Sequence, residues 1–134
     1  MLTPAIVSKL RSEPVKKLVS QRDFDSLYNQ FGDYERPAVT ELFQDLKVNL
    51  LDHLKGDCVP PYAYCSNKKL KHANIPPSIA KIGKCAFMST EVEDVDFSKA
   101  NKLYIIEGSA FESSKVKSLI FPRISSTNRW VRFL

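Results

Sequence analysis

The chain is poor in glycine, histidine and cysteine, and this scarcity removes several kinds of catalytic site. Its four glycines lie far apart in 134 residues and build neither a phosphate-cradling loop nor a dinucleotide-binding fingerprint. Two histidines are present, and no His-Glu-x-x-His or Gly-x-Ser-x-Gly motif occurs. We therefore expect a protein that is not an enzyme and that holds no cofactor.

Long apolar runs are also missing, since no stretch approaches the eighteen consecutive apolar residues of a membrane span. The segment from Met1 to Leu10 lacks the charged-then-apolar layout of a secretory signal. Three cysteines are an odd number that suits reduced thiols better than a disulfide framework. These features predict a cytoplasmic protein with no membrane partner.

What is present fits one folded domain whose charge is unevenly spread. The chain is 43% hydrophobic and 26% charged. Residues 1–57 hold eight Lys or Arg against nine Asp or Glu, whereas residues 58–134 hold twelve against six. A basic half of this kind makes nucleic-acid binding the alternative function. Its candidate contacts are Lys68, Lys69, Lys71, Arg129 and Arg132.

Residues 1–57 read as helices. Thr3 before Pro4 and Ser12 before Pro14 are typical helix starts, and Asp23 is a candidate N-cap for a third helix. From Pro37 to Leu54, apolar residues recur every three or four positions and predict one long helix with Leu46 in its buried stripe. We expect this helical segment to cap the rest of the chain.

The second part of the chain repeats. Residues 59–64, 82–87 and 106–111 each carry an aliphatic residue, three variable ones, then Ala and an aromatic. Each block is followed by an aliphatic-x-x-apolar-x-apolar hexad, at residues 70–75, 92–97 and 116–121. The last three positions of each hexad alternate between inward and outward side chains, as in a strand. Stacking of the units then predicts a parallel sheet over a shared core.

The stretch Ile-Pro-x-Ser-Ile-x-x-Ile-Gly-x-x-Ala-Phe at residues 75–87 resembles the leucine-rich repeat of the BspA type. The resemblance covers residues 58–122, while residues 1–57 resemble no known family. It implies an α/β fold, a short solenoid of about three coils. Trp130, Phe133 and Leu134 suit a cover over the last coil, so we expect residues 123–134 to be a C-terminal capping tail. The resemblance also implies a surface that binds a macromolecular partner, as in a host-interaction or inhibitor protein of a bacterium or its virus, and it implies no reaction.

Two clusters of metal-ligand residue types have plainer explanations. Cys58, Cys65, His72 and Cys85 are zinc-ligand types, but the nearest two are seven residues apart. Cys65 and Cys85 also occupy regular positions of the repeat, where cysteine commonly serves as a small buried hydrophobic residue. Glu91, Glu93, Asp94 and Asp96 lack the glycine-containing loop of a calcium site. We expect no metal at either place.

The outward residues of the three hexads form columns across the predicted sheet. The first column, Lys71, Glu93 and Lys117, alternates in charge and predicts ion pairs between neighbouring strands. In the other columns an exposed isoleucine lies beside carboxylates, a composition that suits a protein interface. The predicted partner-binding residues are His72, Asn74, Asp94, Asp96, Lys117, Ser118 and Ile120.

Overall fold

A computed structural model describes residues 3–121 and the backbone of residues 132–133. Four α-helices come first: α1 (Pro4–Leu10), α2 (Glu13–Ser20), α3 (Phe24–Asn29) and α4 (Arg36–Asp45), followed by a 3₁₀-helix at Leu50–His53. Seven short strands follow: β1 (Cys58–Val59), β2 (His72–Asn74), β3 (Lys81–Ile82), β4 (Asp94–Asp96), β5 (Ile105–Ile106), β6 (Ser118–Ile120) and β7 (Arg132–Phe133). The fold is a mixed α/β one.

The helix starts predicted at Thr3 and Asp23 are confirmed. The Thr3 hydroxyl accepts a hydrogen bond from the Ile6 N–H at 3.2 Å, and the Asp23 carboxylate accepts one from the Ser26 N–H at 3.2 Å. Each bond satisfies a backbone donor that the first helical turn leaves unpaired. Ser12 precedes α2 without such a bond, and its hydroxyl donates instead to the Lys9 carbonyl.

The single helix predicted from Pro37 to Leu54 is wrong, because α4 ends at Asp45. Lys47 adopts the left-handed conformation, with φ of 61°, and its N–H donates to the Gln44 carbonyl. The next N–H, of Val48, donates to the Phe43 carbonyl, which completes a Schellman C-cap. The chain turns away there, so Leu46 is 63% exposed and lies outside the core where the sequence placed it.

The strands form two parallel sheets, to which the chain contributes in alternation. One sheet has the order β1-β3-β5-β7 and the other has the order β2-β4-β6. Ala73 pairs with Val95 and Val95 with Leu119, so equivalent residues of the predicted hexads are neighbours. The parallel pairing and the register of the hexads are therefore confirmed.

The Ala-aromatic blocks form turns that stack on one another. Tyr64 N–H donates to the Ala86 carbonyl and Phe87 N–H to the Ala110 carbonyl, so each turn bonds to the next through its backbone. The rings of Tyr64, Phe87 and Phe111 stack at centroid distances of 5.3 and 5.1 Å. A left-handed residue lies on each side of every Ala-aromatic pair, at Tyr62 and Ser66, Cys85 and Ser89, and Ser109 and Ser113.

Helices and repeats share one hydrophobic core. It runs from Ile6 and Phe24 through Leu50 and Leu51 to Phe97 and other buried residues of the repeats. A polar contact crosses the same boundary, because the amide of the fully buried Asn67 donates to the Gln44 side chain. The expectation that residues 123–134 form a capping tail lies outside the described residues, except that β7 pairs in parallel with β5.

Candidate protein-binding face

The outer surface of β2, β4 and β6, which we call the hexad face, carries two columns of polar and apolar side chains. Backbone register places His72 beside Asp94 and Asp94 beside Ser118. It likewise places Asn74 beside Asp96 and Asp96 beside Ile120. Because strand residues alternate between the two surfaces of a sheet, the residue that lies between the two columns on each strand points inward. Six of the seven predicted contact residues thus lie in these two adjacent columns.

His72 and Asp94 form a close polar pair on this face. The imidazole Nδ1 of His72 lies 2.9 Å from one carboxylate oxygen of Asp94 and 2.5 Å from the other. Ser118 follows Asp94 in the column, so the carboxylate lies between the imidazole and the hydroxyl. A nucleophilic triad requires the imidazole in the middle, touching the hydroxyl. The column therefore does not have the order of a hydrolase site.

Asp96 is held by its own loop. Its carboxylate accepts a hydrogen bond from the Ser98 N–H at 2.8 Å. Hydrogen bonds from the Ser98 hydroxyl and N–H lower the pKa of Asp96 below its usual value. Its register neighbour Ile120 is 48% exposed, so an oriented carboxylate and an apolar side chain lie next to each other. This contrast is the most distinctive feature of the face.

The predicted ion pairs of the first column are wrong for the part of the chain that the structure describes. Within residues 3–121, Glu93 forms no ion pair with Lys71 or Lys117. Backbone bonds link these residues instead, from Glu93 N–H to the Lys71 carbonyl and from Lys117 N–H to the Glu93 carbonyl. All three residues lie one position before their strands, so the ladder does not align their side chains.

The lysines proposed for nucleic-acid contact are partly engaged within the chain. The Lys68 ammonium donates to the Ser89 carbonyl at 2.6 Å, and the Lys69 ammonium pairs with the Asp45 carboxylate. The hydrogen bond to Asp45 raises the pKa of Lys69. Lys71 is exposed, while the side chains of Arg129 and Arg132 lie outside the described residues. The proposed set does not form one free basic patch among the described lysines.

The three cysteines are free thiols. Cys65 and Cys85 are buried, and Cys58 is half-buried with its thiol donating to the Val59 carbonyl. Burial raises the pKa of the Cys58 thiol, so the neutral form is favoured there. In residues 3–121 the cysteines and His72 are not gathered into a group that would hold a metal ion.

A cleft between the helices and the repeats was not predicted. It encloses about 300 Å³ and is lined by Thr40, Gln44, Lys47, Val48, Asn49, Leu50, Tyr64 and Leu70. The sequence analysis missed it because the predicted helix ran straight through residues 46–49. The usable sequence feature was Asn49, a good N-cap residue, which accepts a hydrogen bond from the Leu51 N–H and starts the 3₁₀-helix.

Comparison with known families agrees with the repeat geometry. Residues 55–130 match the family model described as "BspA type Leucine rich repeat region (6 copies)", which is more than half of the chain. The chain belongs to the BspA-type leucine-rich repeat family. This family membership confirms the resemblance read from residues 75–87.

Leucine-rich repeats commonly serve as binding modules with an extended recognition surface. The hexad face belongs to one of the two parallel sheets that the repeats of this BspA-type chain form. No curated protein and no solved structure shows significant similarity to the chain. Among the described residues, no helix has the length and apolar character needed to cross a membrane.

Proposed function

We propose that this leucine-rich repeat protein is a non-enzymatic module that binds a protein partner through the hexad face. The observation that carries the proposal is the pairing of Asp96 with Ile120, an oriented carboxylate beside a half-exposed apolar side chain. Protein interfaces combine an apolar centre with a polar rim. His72, Asn74, Asp94 and Ser118 form that rim, with Lys117 at its border.

A triple substitution tests the face. Changing Asp94 and Asp96 to Lys and Ile120 to Ser reverses its charge and removes its apolar centre. The partner is first isolated by affinity purification of the tagged wild-type chain from the organism that encodes it. The variant is then compared with the wild type for binding to that partner. We expect the triple variant to lose the complex, with a melting temperature close to that of the wild type.

A matched control makes the same chemical changes elsewhere. Glu13→Lys, Glu112→Lys and Tyr34→Ser alter the net charge equally and remove one side chain that is 95% exposed. This control should retain the partner at wild-type yield. If the face variant also retains it, the hexad face is not the binding site.

We also propose that the repeats form a three-coil solenoid that residues 1–57 and 123–134 cap. The shared core and the contact between Asn67 and Gln44 support the N-terminal part of this proposal. Repeat arrays need terminal caps to hide the core of their outer coils. A fragment of residues 58–134 should therefore aggregate. Its cooperative melting as a soluble monomer would contradict the capping role.

The proposed setting is the cytoplasm of a bacterium, or of a bacterium infected by its virus, with a host-interaction or inhibitor role. The three free thiols support a reducing compartment. A membrane-impermeant maleimide tests this location through the half-buried Cys58. We expect labelling of the unfolded chain after lysis and none in intact cells; labelling in intact cells would place the protein outside.

Nucleic-acid binding is the alternative that the excess of Lys and Arg after residue 57 favours. Contacts with phosphates would weaken steeply as salt rises, because binding releases counterions. Gel shifts on DNA and RNA over a salt series separate the two functions. Micromolar or tighter binding with a steep salt slope would replace the protein-binding proposal.

A further inference from the structure

One side of β2 is an open strand edge. β2 is the first strand of its sheet, and no other strand among the described residues pairs with its outer side. Ile75 N–H donates to the Asp96 carbonyl, and the Lys71 carbonyl accepts from Glu93, so these residues point their groups towards β4. Because alternate residues of a strand point to opposite sides, the backbone N–H and C=O groups of His72 and Asn74 face outwards.

The cleft described above begins where this edge begins. Leu70 lines the cleft and lies two residues before His72. Val48, Leu50 and Tyr64 complete its apolar wall. A strand added along β2 would point alternate side chains inward, and the one opposite the start of β2 would lie nearest to Leu70 and the cleft.

Two exposed lysines lie near the edge. Lys47 is exposed at the cleft and Lys71 is exposed beside the edge. Within residues 3–121 neither forms an ion pair, and the nearby Asp45 carboxylate is already engaged by Lys69. An occupant that carries carboxylates would be attracted to these two ammonium groups, and a basic one would be repelled.

We propose that the β2 edge binds an extended, acidic segment of another protein as an added strand, with one of its apolar side chains in the cleft. Backbone hydrogen bonds to His72 and Asn74 would supply the pairing, and the cleft and the two lysines would supply the selectivity. A second copy of this chain is a poorer occupant, because its own β2 edge, from Lys71 to Asn74, carries no carboxylate that could pair with Lys47 or Lys71.

Synthetic peptides test this proposal on the full chain. The probe is an N-acetylated, fluorescently labelled seven-residue peptide that alternates valine with glutamate, long enough to span β2 at about 3.3 Å per residue. We expect a Kd below about 1 mM by fluorescence polarisation. The same peptide with lysine in place of glutamate should bind at least about tenfold more weakly. Equal binding of both peptides, or no binding of the acidic one, would overturn the proposal.

Two substitutions at one position isolate the backbone contact. Asn74→Pro removes an N–H that faces the open edge and leaves the ladder with β4 intact, so peptide affinity should fall at least about tenfold. Asn74→Val keeps that N–H and should keep the affinity. In the wild-type chain, peptide binding should slow hydrogen exchange at the backbone amides of His72 and Asn74. Slower exchange at other amides, with no change at His72 and Asn74, would contradict strand addition.

This inference can be tested separately from the proposed function, although the side chains of His72 and Asn74 belong to the hexad face. Asp94→Lys, Asp96→Lys and Ile120→Ser change side chains of β4 and β6 and leave the backbone groups of the outer β2 edge in place. The triple variant should therefore still bind the acidic peptide after it has lost its partner. The peptide result and the partner result can fail separately.

Discussion

The imidazole Nδ1 of His72 lies 2.9 Å from a carboxylate oxygen of Asp94, across the parallel ladder that joins β2 to β4. The pair links the first and second repeats through side chains as well as through the backbone. Both side chains are partly open to water, which limits what the pair contributes to folding. Because the pair lies on the hexad face and contributes little to folding, its substitution is more informative about binding than about stability.

Asp94→Asn should therefore lower the free energy of unfolding by less than about 1 kcal/mol, because cross-strand pairs at exposed sites contribute little. Urea unfolding of the wild type, Asp94→Asn, His72→Ala and the double variant measures the coupling between the two side chains. Loss of the native fold in either single variant would show that the pair is structurally essential, contrary to this expectation.

Gly83 packs so closely against the backbone of residues 59–61 in the preceding repeat that no side chain fits there. A Cβ at Gly83 would lie 2.6 Å from the Val59 carbonyl oxygen and 2.7 Å from the Pro61 nitrogen, both of which are backbone atoms. Gly83→Ala should destabilise the fold by about 1 to 3 kcal/mol through this overpacking.

Gly32→Ala is the matched control, since its Cβ would meet only the Glu35 side chain at 3.4 Å. We expect a change below about 0.5 kcal/mol for it in the same denaturation series. Equal effects of the two substitutions would contradict the steric explanation.

Leu50 and Leu46 are four residues apart, yet they differ completely in burial. Leu50 is 2% exposed and Leu46 is 63% exposed. Leu50→Ala should cost about 2 to 5 kcal/mol by leaving a cavity, whereas Leu46→Ala should change stability by less than about 0.5 kcal/mol. Thermal melts of the two variants check this order. A larger loss of stability for Leu46→Ala than for Leu50→Ala would support the single long helix that the sequence predicted.

Buried tyrosines should make the fold sensitive to alkali. Burial raises the pKa of Tyr28 and of Tyr64 in the folded state. In the unfolded chain both phenols lose their protons near pH 10, so the unfolded state binds fewer protons than the native state above that pH. Stability should then fall as pH rises, by about 1.4 kcal/mol per pH unit for each tyrosine.

Tyr28→Phe should halve that alkaline slope. At neutral pH it should cost about 1 to 3 kcal/mol, because the buried Thr40 hydroxyl loses its partner Tyr28. Unfolding curves between pH 8 and about pH 11 measure both effects. Tyr34→Phe, at a fully exposed ring, is the control, and a slope unaffected by Tyr28→Phe would contradict the assignment.

The repeats were predictable because their information is periodic in the sequence. Ala63, Ala86 and Ala110 are spaced 23 and 24 residues apart, and this spacing sets the backbone ladder directly. The hexad columns follow from the alternation of strand side chains, which requires no knowledge of the remaining fold. Family membership, strand register and the positions of the candidate contacts were accordingly accessible from the sequence.

The end of α4 was not predictable in the same way. The apolar spacing continues through Leu46, and the residue that stops the helix is Lys47, where a glycine would ordinarily mark a left-handed C-cap. The charged column also failed, since pairing depends on where each strand starts. Lys71 and Glu93 fall just outside the ladder, and His72 and Asp94 fall inside it. The cleft was missed because of the first error, since the predicted helix ran through most of the residues that line it.

The stacked rings of Tyr64, Phe87 and Phe111 also constrain how such a chain can change its length during evolution. Each ring occupies the same place in its unit, and the units meet ring on ring with interplanar angles of 6° and 3°. Duplication of one complete unit would insert another ring in phase with its neighbours. An insertion of a few residues within a unit would instead shift every later Ala-aromatic pair out of the stack. The hexad face should therefore lengthen in whole coils, with one further set of outward side chains added by each new strand.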